Sequence, residues 1–157
     1  MSENYIVSKA EKSDICDIYN LLLEYSKKEI VLKRSKEDIL KYLFNFYVIK
    51  KNDNIIGCGA LRDFSDNLYE IRSLVISNNF QGKGVGKLLV EYIVNDLKNR
   101  TTKCNIFALT YQVNFFLRLG FKVTDKNQFP DKIWADCKDC KKRNCCDETA
   151  MYISINE

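Results

Sequence analysis

The most constraining feature of this chain is a glycine-rich loop that follows an apolar segment and opens an amphipathic one. Residues 68–76 are mostly apolar and predict a strand, and glycines stand at positions 82, 84 and 86. Glycine lets the backbone approach a ligand closely, and a helix that begins here adds unpaired amides and a positive dipole end. Apolar side chains follow at helical spacing: Val85, Leu88, Leu89, Tyr92, Ile93 and Leu97. The loop therefore predicts a site for a phosphate or pyrophosphate group.

The spacing of residues within the loop excludes two common nucleotide-binding motifs. A Walker loop has four residues before its Gly-Lys-Ser/Thr, whereas here three residues separate Gly82 from Gly86, and Lys87 is followed by Leu88. A dinucleotide fingerprint, Gly-x-Gly-x-x-Gly, would need glycine at position 87. What remains is Gln-x-x-Gly-x-Gly from Gln81 to Gly86, which resembles the acetyl-coenzyme A loop of the GNAT acetyltransferase superfamily. A strand-to-helix turn that merely favours glycine is the alternative.

The composition fits one enzyme domain with an anionic cofactor. A chain of 157 residues, 46% of them hydrophobic, can bury one core, so we expect a single domain over residues 1–157. The net charge of +4 is mild, and Lys and Arg are scattered instead of forming one basic face. We therefore expect no nucleic-acid partner. We also expect no membrane partner, since no apolar run approaches the ~20 residues of a membrane span.

The cysteine content indicates the cellular compartment, and the absence of histidine limits which groups can perform acid–base catalysis. Seven cysteines occur in a chain whose N-terminus lacks the basic start and apolar core of a signal peptide, which favours the reducing cytoplasm. The chain has no histidine, which removes the commonest general base and metal ligand. Acid–base chemistry must therefore use a carboxylate, tyrosine, cysteine, lysine or water.

The order of the predicted elements is that of a mixed α/β domain. Helix starts are predicted at Ser13–Asp14 and at Ser35, which forms a weak capping box with Asp38, and residues 51–54 predict a hairpin turn. Strands are predicted at 5–9, 46–49, 55–61, 68–76, 105–109, 121–123 and 151–155, and a short helix at 113–119. We predict the fold class α/β (α+β mixed sheet), with one central mixed β-sheet flanked by helices. The GNAT fold has the same order of elements.

Two charged residues lie on the strand that precedes the loop. Side chains alternate between the faces of a strand, which places Glu70 and Arg72 on one face. A carboxylate there can take the proton of an attacking amine, directly or through a water. In GNAT enzymes a Glu on this strand is often that base, and its distance from Gln81 assigns the role to Glu70 by resemblance. A surface ion pair between Glu70 and Arg72 is the alternative.

Residues 116–121 resemble the GNAT motif Tyr-x-x-x-Gly-Phe, whose tyrosine protonates the departing coenzyme A thiolate in many members. This chain has Phe116 at the tyrosine position, followed by Gly120 and Phe121. Phenylalanine has no proton to give, so Tyr111, at the end of a predicted strand, becomes the candidate acid. A Tyr111 that only packs beside the cofactor is the alternative, because a thiol with a pKa of ~8.5 leaves with little help.

Further segments resemble the short, single-domain members of the N-acetylglutamate synthase group of amino-acid acetyltransferases. These segments are residues 31–35, 56–61, 70–74, 116–121 and 129–137. The resemblance implies glutamate or glutamine as the acceptor, in arginine biosynthesis. Arginine and lysine suit the acceptor's carboxylates, and the candidates are Arg34, Arg72 and Lys132, although each could be a solvated surface charge. The long members carry an amino-acid-kinase-like domain, for which we expect no room in this chain.

The resemblance implies direct transfer of the acetyl group from acetyl-CoA to the amine. A backbone amide within residues 74–76 would polarise the thioester carbonyl. The predicted cofactor-binding residues are Leu74, Val75, Ile76, Gln81, Gly82, Lys83, Gly84, Val85, Gly86 and Lys87. No acetyl-cysteine is needed, and we expect Cys58 and Cys104, which lie in apolar strands, to be buried and inert.

A cysteine cluster near the C-terminus suggests a metal without specifying one. Cys137 and Cys140 have the Cys-x-x-Cys spacing that begins a zinc knuckle, and Cys145 and Cys146 follow. The second half lacks a clean Cys-x-x-Cys or histidine pair. A structural zinc, a labile disulfide and free thiols therefore stay open.

Three functions from different classes remain. The first is an acetyl-CoA-dependent amino-acid N-acetyltransferase, and the second is a GNAT enzyme for another amine, such as a polyamine, an antibiotic or a protein N-terminus. The third is a non-catalytic acetyl-CoA-binding or metal-dependent interaction module. The expected partners are acetyl-CoA and a small-molecule amine acceptor, and a homodimer stays open.

Overall fold

A seven-stranded sheet with the order β1-β2-β3-β4-β5-β7-β6 organises the computed structural model, which describes residues 4–28, 31, 34–125 and 148–155. The strands are β1 Tyr5–Lys9, β2 Phe46–Lys51, β3 Asn54–Asp63, β4 Leu68–Ile76, β5 Cys104–Thr110, β6 Lys122–Thr124 and β7 Thr149–Ile155. The helices are α1 Ile15–Ser26, α2 Lys36–Lys41, α3 Val85–Arg100 and α4 Val113–Arg118. Short 3-10 turns cover Lys12–Asp14, Leu43–Asn45 and Asn78–Phe80.

The sheet is mixed, as the order of elements predicts. Strand β2 pairs antiparallel with both β1 and β3, and β7 pairs antiparallel with both β5 and β6. Strands β4 and β5 pair in parallel, with Glu70 opposite Phe107. A parallel pair needs a long crossover connection, and α3 supplies it. The predicted fold class is therefore confirmed.

The described residues divide into two compact units, of which the first comprises residues 1–61 and 72–99. Its core joins α1 and α2 to strands β2, β3 and β4. The buried members are Ile18, Leu22, Tyr25, Ile39, Phe46, Val48, Cys58, Ala60 and Val75. On the other side of β3, a Cβ added to Gly59 would lie 3.2 Å from Leu74 and 3.3 Å from Ile93. Glycine at this position therefore lets α3 pack closely on the strand.

The hairpin between β2 and β3 explains one predicted turn. Asn52 and Asp53 both have left-handed backbone conformations, with φ of 52° and 67°. Two central residues with positive φ define a type I′ turn, whose twist matches that of the flanking strands. Asparagine and aspartate tolerate this conformation better than most residues, so the turn signal at residues 51–54 is confirmed.

The second unit comprises residues 62–71 and 100–157. In its described part, the ladder between β5 and β7 runs from Cys104 opposite Ile155 to Thr110 opposite Thr149. The rings of Phe64 and Phe107 lie 5.9 Å apart and pack with Leu68 and Tyr152. The prediction of one domain over residues 1–157 stays a prediction.

The start of α1 differs from its predicted cap. A 3-10 turn, Lys12–Asp14, precedes the helix, and the side chain of Asp14 makes no capping hydrogen bond to it. The Asp14 carboxylate instead accepts from the Glu11 amide at 2.9 Å and pairs with the Lys50 ammonium at 2.9 Å. The Asp14 carboxylate therefore belongs to a capping box with Glu11 on the 3-10 turn and to a tertiary ion pair, and it does not cap α1 itself.

Hydropathy along the helices bears on membrane association. Among the described residues, no helix combines the length and the apolar character needed to cross a membrane. The cytoplasmic location stays a prediction.

Candidate active site

The glycine loop takes the strand–turn–helix form that its sequence predicts. Strand β4 ends at Ile76, and α3 begins at Val85. Gly82 and Gly84 have φ of +77° and +80°, and a Cβ built on either would meet nothing within 4 Å. Space alone would therefore admit a side chain, and the left-handed backbone is what requires glycine at both positions. The third glycine, Gly86, lies inside the first turn of α3.

The first turn of α3 presents the amides and the charge that an anion needs. The first helical hydrogen bond of α3 runs from the Leu88 amide to the Gly84 carbonyl, at 3.2 Å. The amides of residues 85–87 precede this bond and have no acceptor one turn earlier in the helix. This turn contains no acidic residue, and the ammonium groups of Lys51 and Lys83 each lie 5.6 Å from the ring centre of Phe80. Lys51 joins the loop only through the folding of the β2–β3 hairpin, so the sequence did not indicate it.

The Gln81 side chain bonds neighbouring residues of the loop, and its role in cofactor binding stays a prediction. Its side-chain nitrogen donates to the carbonyl oxygen of Ile76 at 2.8 Å and to Oδ1 of Asn78 at 3.2 Å. The side chain therefore bonds the loop to the end of β4 and holds the turn closed. The backbone of Gln81 remains in the predicted cofactor loop.

Strand β4 contains a backbone outlier just before the predicted carbonyl-polarising amides. Ser73 has φ of +54° in the interior of the strand, a conformation that non-glycine residues rarely adopt. The thiol of Cys58 donates to its carbonyl oxygen at 3.6 Å, and Nη1 of Arg34 donates to its hydroxyl at 3.4 Å. Residues 74–76, predicted to bind the thioester, follow directly. Serine gives no local signal of this conformation, so the sequence does not predict it.

The structure places Arg34 at the Ser73 outlier. Its Nε bonds Oδ2 of Asp38 at 2.7 Å, and its guanidinium lies 4.8 Å from the ring centre of Phe46. The Arg34 side chain is 13% exposed. Ser35 caps α2 by accepting from the Asp38 amide at 3.0 Å, which leaves the Asp38 carboxylate to orient Arg34. Half of the predicted capping box is therefore present, and binding of an acceptor carboxylate by Arg34 stays a prediction.

Glu70 lies on β4, and its pairing with Phe107 is the last one in the parallel ladder between β4 and β5. It is 7% exposed, while Arg72 is half-buried. The alternative of an ion pair between Glu70 and Arg72 stays open. The assignments of Glu70 as the base and of Arg72 as a carboxylate ligand stay predictions.

The Phe-x-x-x-Gly-Phe segment forms a helix stop. Gly120, with φ of +92°, follows the last turn of α4, and its amide donates to the carbonyl oxygen of Leu117 at 3.1 Å. The Phe121 amide donates to the carbonyl oxygen of Phe116 at 3.0 Å, and their rings lie 5.0 Å apart. These bonds and the ring contact are those of a Schellman motif. Phe116, 3% exposed, therefore has a packing role.

The remaining predicted residues are placed as follows. Tyr111 is 41% exposed and follows the end of β5, and its role as the acid stays a prediction. Cys58 and Cys104 are buried, as expected, and burial raises the pKa of the Cys58 thiol to about 12 and that of Cys104 above its ordinary value. These two thiols are therefore poor nucleophiles.

Two predictions concern residues outside the part of the chain that the structure describes. Lys132 lies outside the described residues, as do Cys137, Cys140, Cys145 and Cys146. Within the described ranges, no group of three or more His, Cys, Asp or Glu side chains could hold a metal ion. The zinc, disulfide and free-thiol interpretations of the cysteine cluster therefore stay open.

Comparison with known proteins identifies the family. A family model described as an acetyltransferase (GNAT) domain matches residues 43–123. An N-acetyltransferase of Chlorobaculum tepidum, described as uncharacterized, is 39% identical over 149 residues, which cover 95% of this chain and 96% of the relative. An amino-acid acetyltransferase of Shewanella oneidensis is 32% identical over 126 residues, which cover 79% of this chain and 28% of the relative.

A solved structure shows the same fold. The N-acetylglutamate synthase of Neisseria gonorrhoeae, complexed with coenzyme A and N-acetyl-glutamate, aligns with a TM-score of 0.86 at 22% identity. The alignment covers 100% of this chain and 36% of that chain, so this chain spans about a third of the synthase's length. By its sequence match and its fold, this chain belongs to the GNAT acetyltransferase family.

Proposed function

We propose that this protein is an acetyl-CoA-dependent N-acetyltransferase that acts on the α-amino group of glutamate or glutamine, as an N-acetylglutamate synthase does in arginine biosynthesis. The observation that carries the proposal is the loop in which the left-handed Gly82 and Gly84 lead into the acid-free first turn of α3. Family membership supports the acetyl transfer, and the amino-acid acceptor is the more specific part of the proposal.

Coenzyme binding would use the backbone of the loop. The pyrophosphate of acetyl-CoA accepts hydrogen bonds from the amides that precede the first helical bond of α3, where the helix dipole favours negative charge. Lys83, two residues before these amides, and Lys87, whose own amide is one of them, add positive charge. The solved N-acetylglutamate synthase of the same fold contains coenzyme A, which supports this assignment.

The chemistry needs one base and one polarised carbonyl. Glu70 takes a proton from the acceptor's ammonium group, directly or through a water, and the free amine then attacks the thioester carbon. A backbone amide within residues 74–76 donates to the oxyanion that develops. The nitrogen of the tetrahedral intermediate loses its second proton to water, the carbon–sulfur bond breaks, and the thiolate takes a proton from Tyr111 or from water. The products are the N-acetylated amino acid and coenzyme A.

The acceptor's carboxylates would meet arginine and lysine side chains. Arg34 is suited to this because Asp38 and Phe46 hold its guanidinium in place, which reduces the entropy lost on binding. Arg72 and Lys132 are the other candidates. An amino-acid acetyltransferase among the relatives and a synthase with bound N-acetyl-glutamate support this class of acceptor.

A thiol-release assay over a panel of acceptors tests the proposal. The panel contains glutamate, glutamine, other amino acids, polyamines, aminoglycosides and N-terminal peptides. We expect turnover with glutamate or glutamine that exceeds turnover with every non-amino-acid amine. Turnover of only polyamines, aminoglycosides or peptides would replace the acceptor, and no turnover with any amine would favour a non-catalytic acetyl-CoA-binding module.

The role of Glu70 is tested by a charge-removing substitution. Glu70→Gln keeps the size of the side chain and removes the base, so we expect kcat to fall about 100-fold or more. The dissociation constant of coenzyme A should stay unchanged. Glu91→Gln, on the exposed surface of α3, is the matched control and should retain activity. Turnover by Glu70→Gln at the unmodified rate would remove Glu70 from the mechanism.

A further inference from the structure

A path of hydrogen bonds connects helix α1 to the glycine loop. The hydroxyl of Tyr25, in the last turn of α1, donates to Oδ1 of Asn78 at 3.0 Å. The same oxygen accepts from Nε2 of Gln81 at 3.2 Å, and this nitrogen also donates to the carbonyl oxygen of Ile76 at 2.8 Å. The path therefore reaches the residue immediately before Gly82.

The Gln81 side chain is committed to this path. A side-chain amide nitrogen has two hydrogens, and both have protein acceptors here. The amide oxygen can only accept, so it has nothing to donate to a phosphate. Gln81 therefore acts as a brace between the end of β4 and the loop. Its backbone is extended, with φ of −71° and ψ of 148°, and the chain turns to the left-handed region at Gly82.

Within this path, the side chain of Asn78 is free to change rotamer, whereas the side chain of Tyr25 is held by the core. Asn78 is exposed, and an exposed asparagine held at one point can adopt several rotamers. Tyr25 is 3% exposed, and its ring packs in the core of the first unit beside Leu22 and Phe46. Burial raises the pKa of Tyr25, so its hydroxyl remains a donor at neutral pH. The core therefore orients Asn78, and Asn78 orients Gln81.

We propose that Tyr25 is a positioning residue for coenzyme binding, which acts through Asn78 and Gln81 on the amides of the glycine loop. Because Tyr25 is buried, its proposed effect on the coenzyme is indirect. A loop held in its binding conformation loses less entropy when the coenzyme binds. The proposal rests on the coenzyme-binding part of the proposed function and is independent of the acceptor.

The test removes one oxygen atom from the core. Tyr25→Phe keeps the ring and deletes the hydroxyl. We expect the Kd of coenzyme A, measured by isothermal titration calorimetry, and the KM for acetyl-CoA to rise about fivefold, the factor that corresponds to one net hydrogen bond. The kcat should change much less than the KM. Asn78→Ala removes the shared acceptor and should raise the Kd further.

A double-mutant cycle distinguishes the path from a general loss of stability. In the Asn78→Ala protein, Tyr25→Phe should not change the Kd again, because the hydrogen bond that it removes is already absent. Tyr47→Phe is the matched control, since Tyr47 is also buried and its hydroxyl donates to Asp96 on α3. We expect this control to lower the melting temperature without changing the Kd.

The failing outcomes are distinct. An unchanged Kd in Tyr25→Phe, additive effects in the cycle, or an equal loss of affinity in Tyr47→Phe would overturn the positioning role. Unmodified protein that does not bind coenzyme A would instead overturn the assignment of the loop in the proposed function.

Discussion

Burial sets the chemistry of single side chains in this protein. Cys58 is completely buried, and its thiol donates to the carbonyl oxygen of Ser73, whose backbone is left-handed. Removal from water disfavours the thiolate, which is why the pKa of Cys58 rises. The same thiol that could have served as a nucleophile thus supports the backbone of β4. Direct transfer without an acetyl-cysteine is consistent with this placement.

The raised pKa of Cys58 predicts how stability depends on pH. The thiol ionises near its ordinary value of 9.0 in the unfolded chain and near about 12 in the folded protein. The stability contribution is therefore complete below pH 9 and is lost as the pH rises towards 12, by about 1.4 kcal/mol per pH unit. Urea denaturation at several pH values should show that Cys58→Ala reduces this slope. Equal slopes for the two proteins above pH 9 would contradict the prediction.

Residue types predicted some of these placements and missed others. Apolar neighbours correctly indicated that Cys58 and Cys104 are buried. The motif placed Gln81 in the loop but not its bonds to Ile76 and Asn78, because a motif records residue types and not partners. Ser73 was missed altogether, since its conformation is imposed by the surrounding strand and not by serine.

At the scale of elements, glycines with positive φ end one element and begin another. Gly84 precedes α3, and Gly120 follows α4 in a Schellman motif whose two phenylalanines pack on each other. Phe116 stands at the tyrosine position of the motif Tyr-x-x-x-Gly-Phe. The packing of the two phenylalanines explains why α4 can end here without that tyrosine. An apolar contact between these positions frequently accompanies the Schellman motif, and the two phenylalanines supply it.

Alanine substitutions at Gly84 and Gly120 distinguish an effect on coenzyme A binding from an effect on the free energy of unfolding. Their φ values are +80° and +92°, so alanine at either position is strained and should lower the free energy of unfolding by about 1 kcal/mol. We expect Gly84→Ala to weaken coenzyme A binding strongly, because the strain is relieved by moving the loop amides. Gly120→Ala should retain the affinity.

Calorimetric titration and urea denaturation of both variants measure these two quantities. Retained coenzyme affinity in Gly84→Ala, at the level of Gly120→Ala, would refute the assignment of the loop. Gly120→Asn should lose less stability than Gly120→Ala, because asparagine tolerates positive φ.

For the molecule as a whole, the strand order of the sheet and the length of the chain agree with its membership of the GNAT family. The mixed seven-stranded sheet has the fold of the solved gonococcal synthase, with a TM-score of 0.86. The 39% identical relative of Chlorobaculum tepidum covers nearly the same length. The element order predicted this fold correctly, because apolar periodicity and turn residues are local properties of a sequence.

Ligand-dependent stability of the whole protein tests which nucleotide the loop accepts. A ligand that binds only the folded state stabilises it, by about 2.7 kcal/mol at a concentration 100 times its Kd. We expect coenzyme A to raise the melting temperature, measured by differential scanning fluorimetry. ATP and NADH should not, because the glycine spacing fits neither a Walker loop nor a dinucleotide fingerprint. A larger shift with ATP or NADH than with coenzyme A would contradict the interpretation of the spacing.

The spacing of residues near one another in the chain predicted the elements, their order, the glycine loop and its class of ligand. The bonds that hold this loop in place become visible only in the folded chain. Tyr25 and Asn78 are 53 positions apart, and no local pattern predicts that a core hydroxyl would meet a loop amide. The same reason applies to the ion pair of Asp14 with Lys50 and to Arg34, which bonds Ser73 across 39 positions. Hydrogen bonds between distant residues depend on how the core packs, and packing is a property of the folded chain.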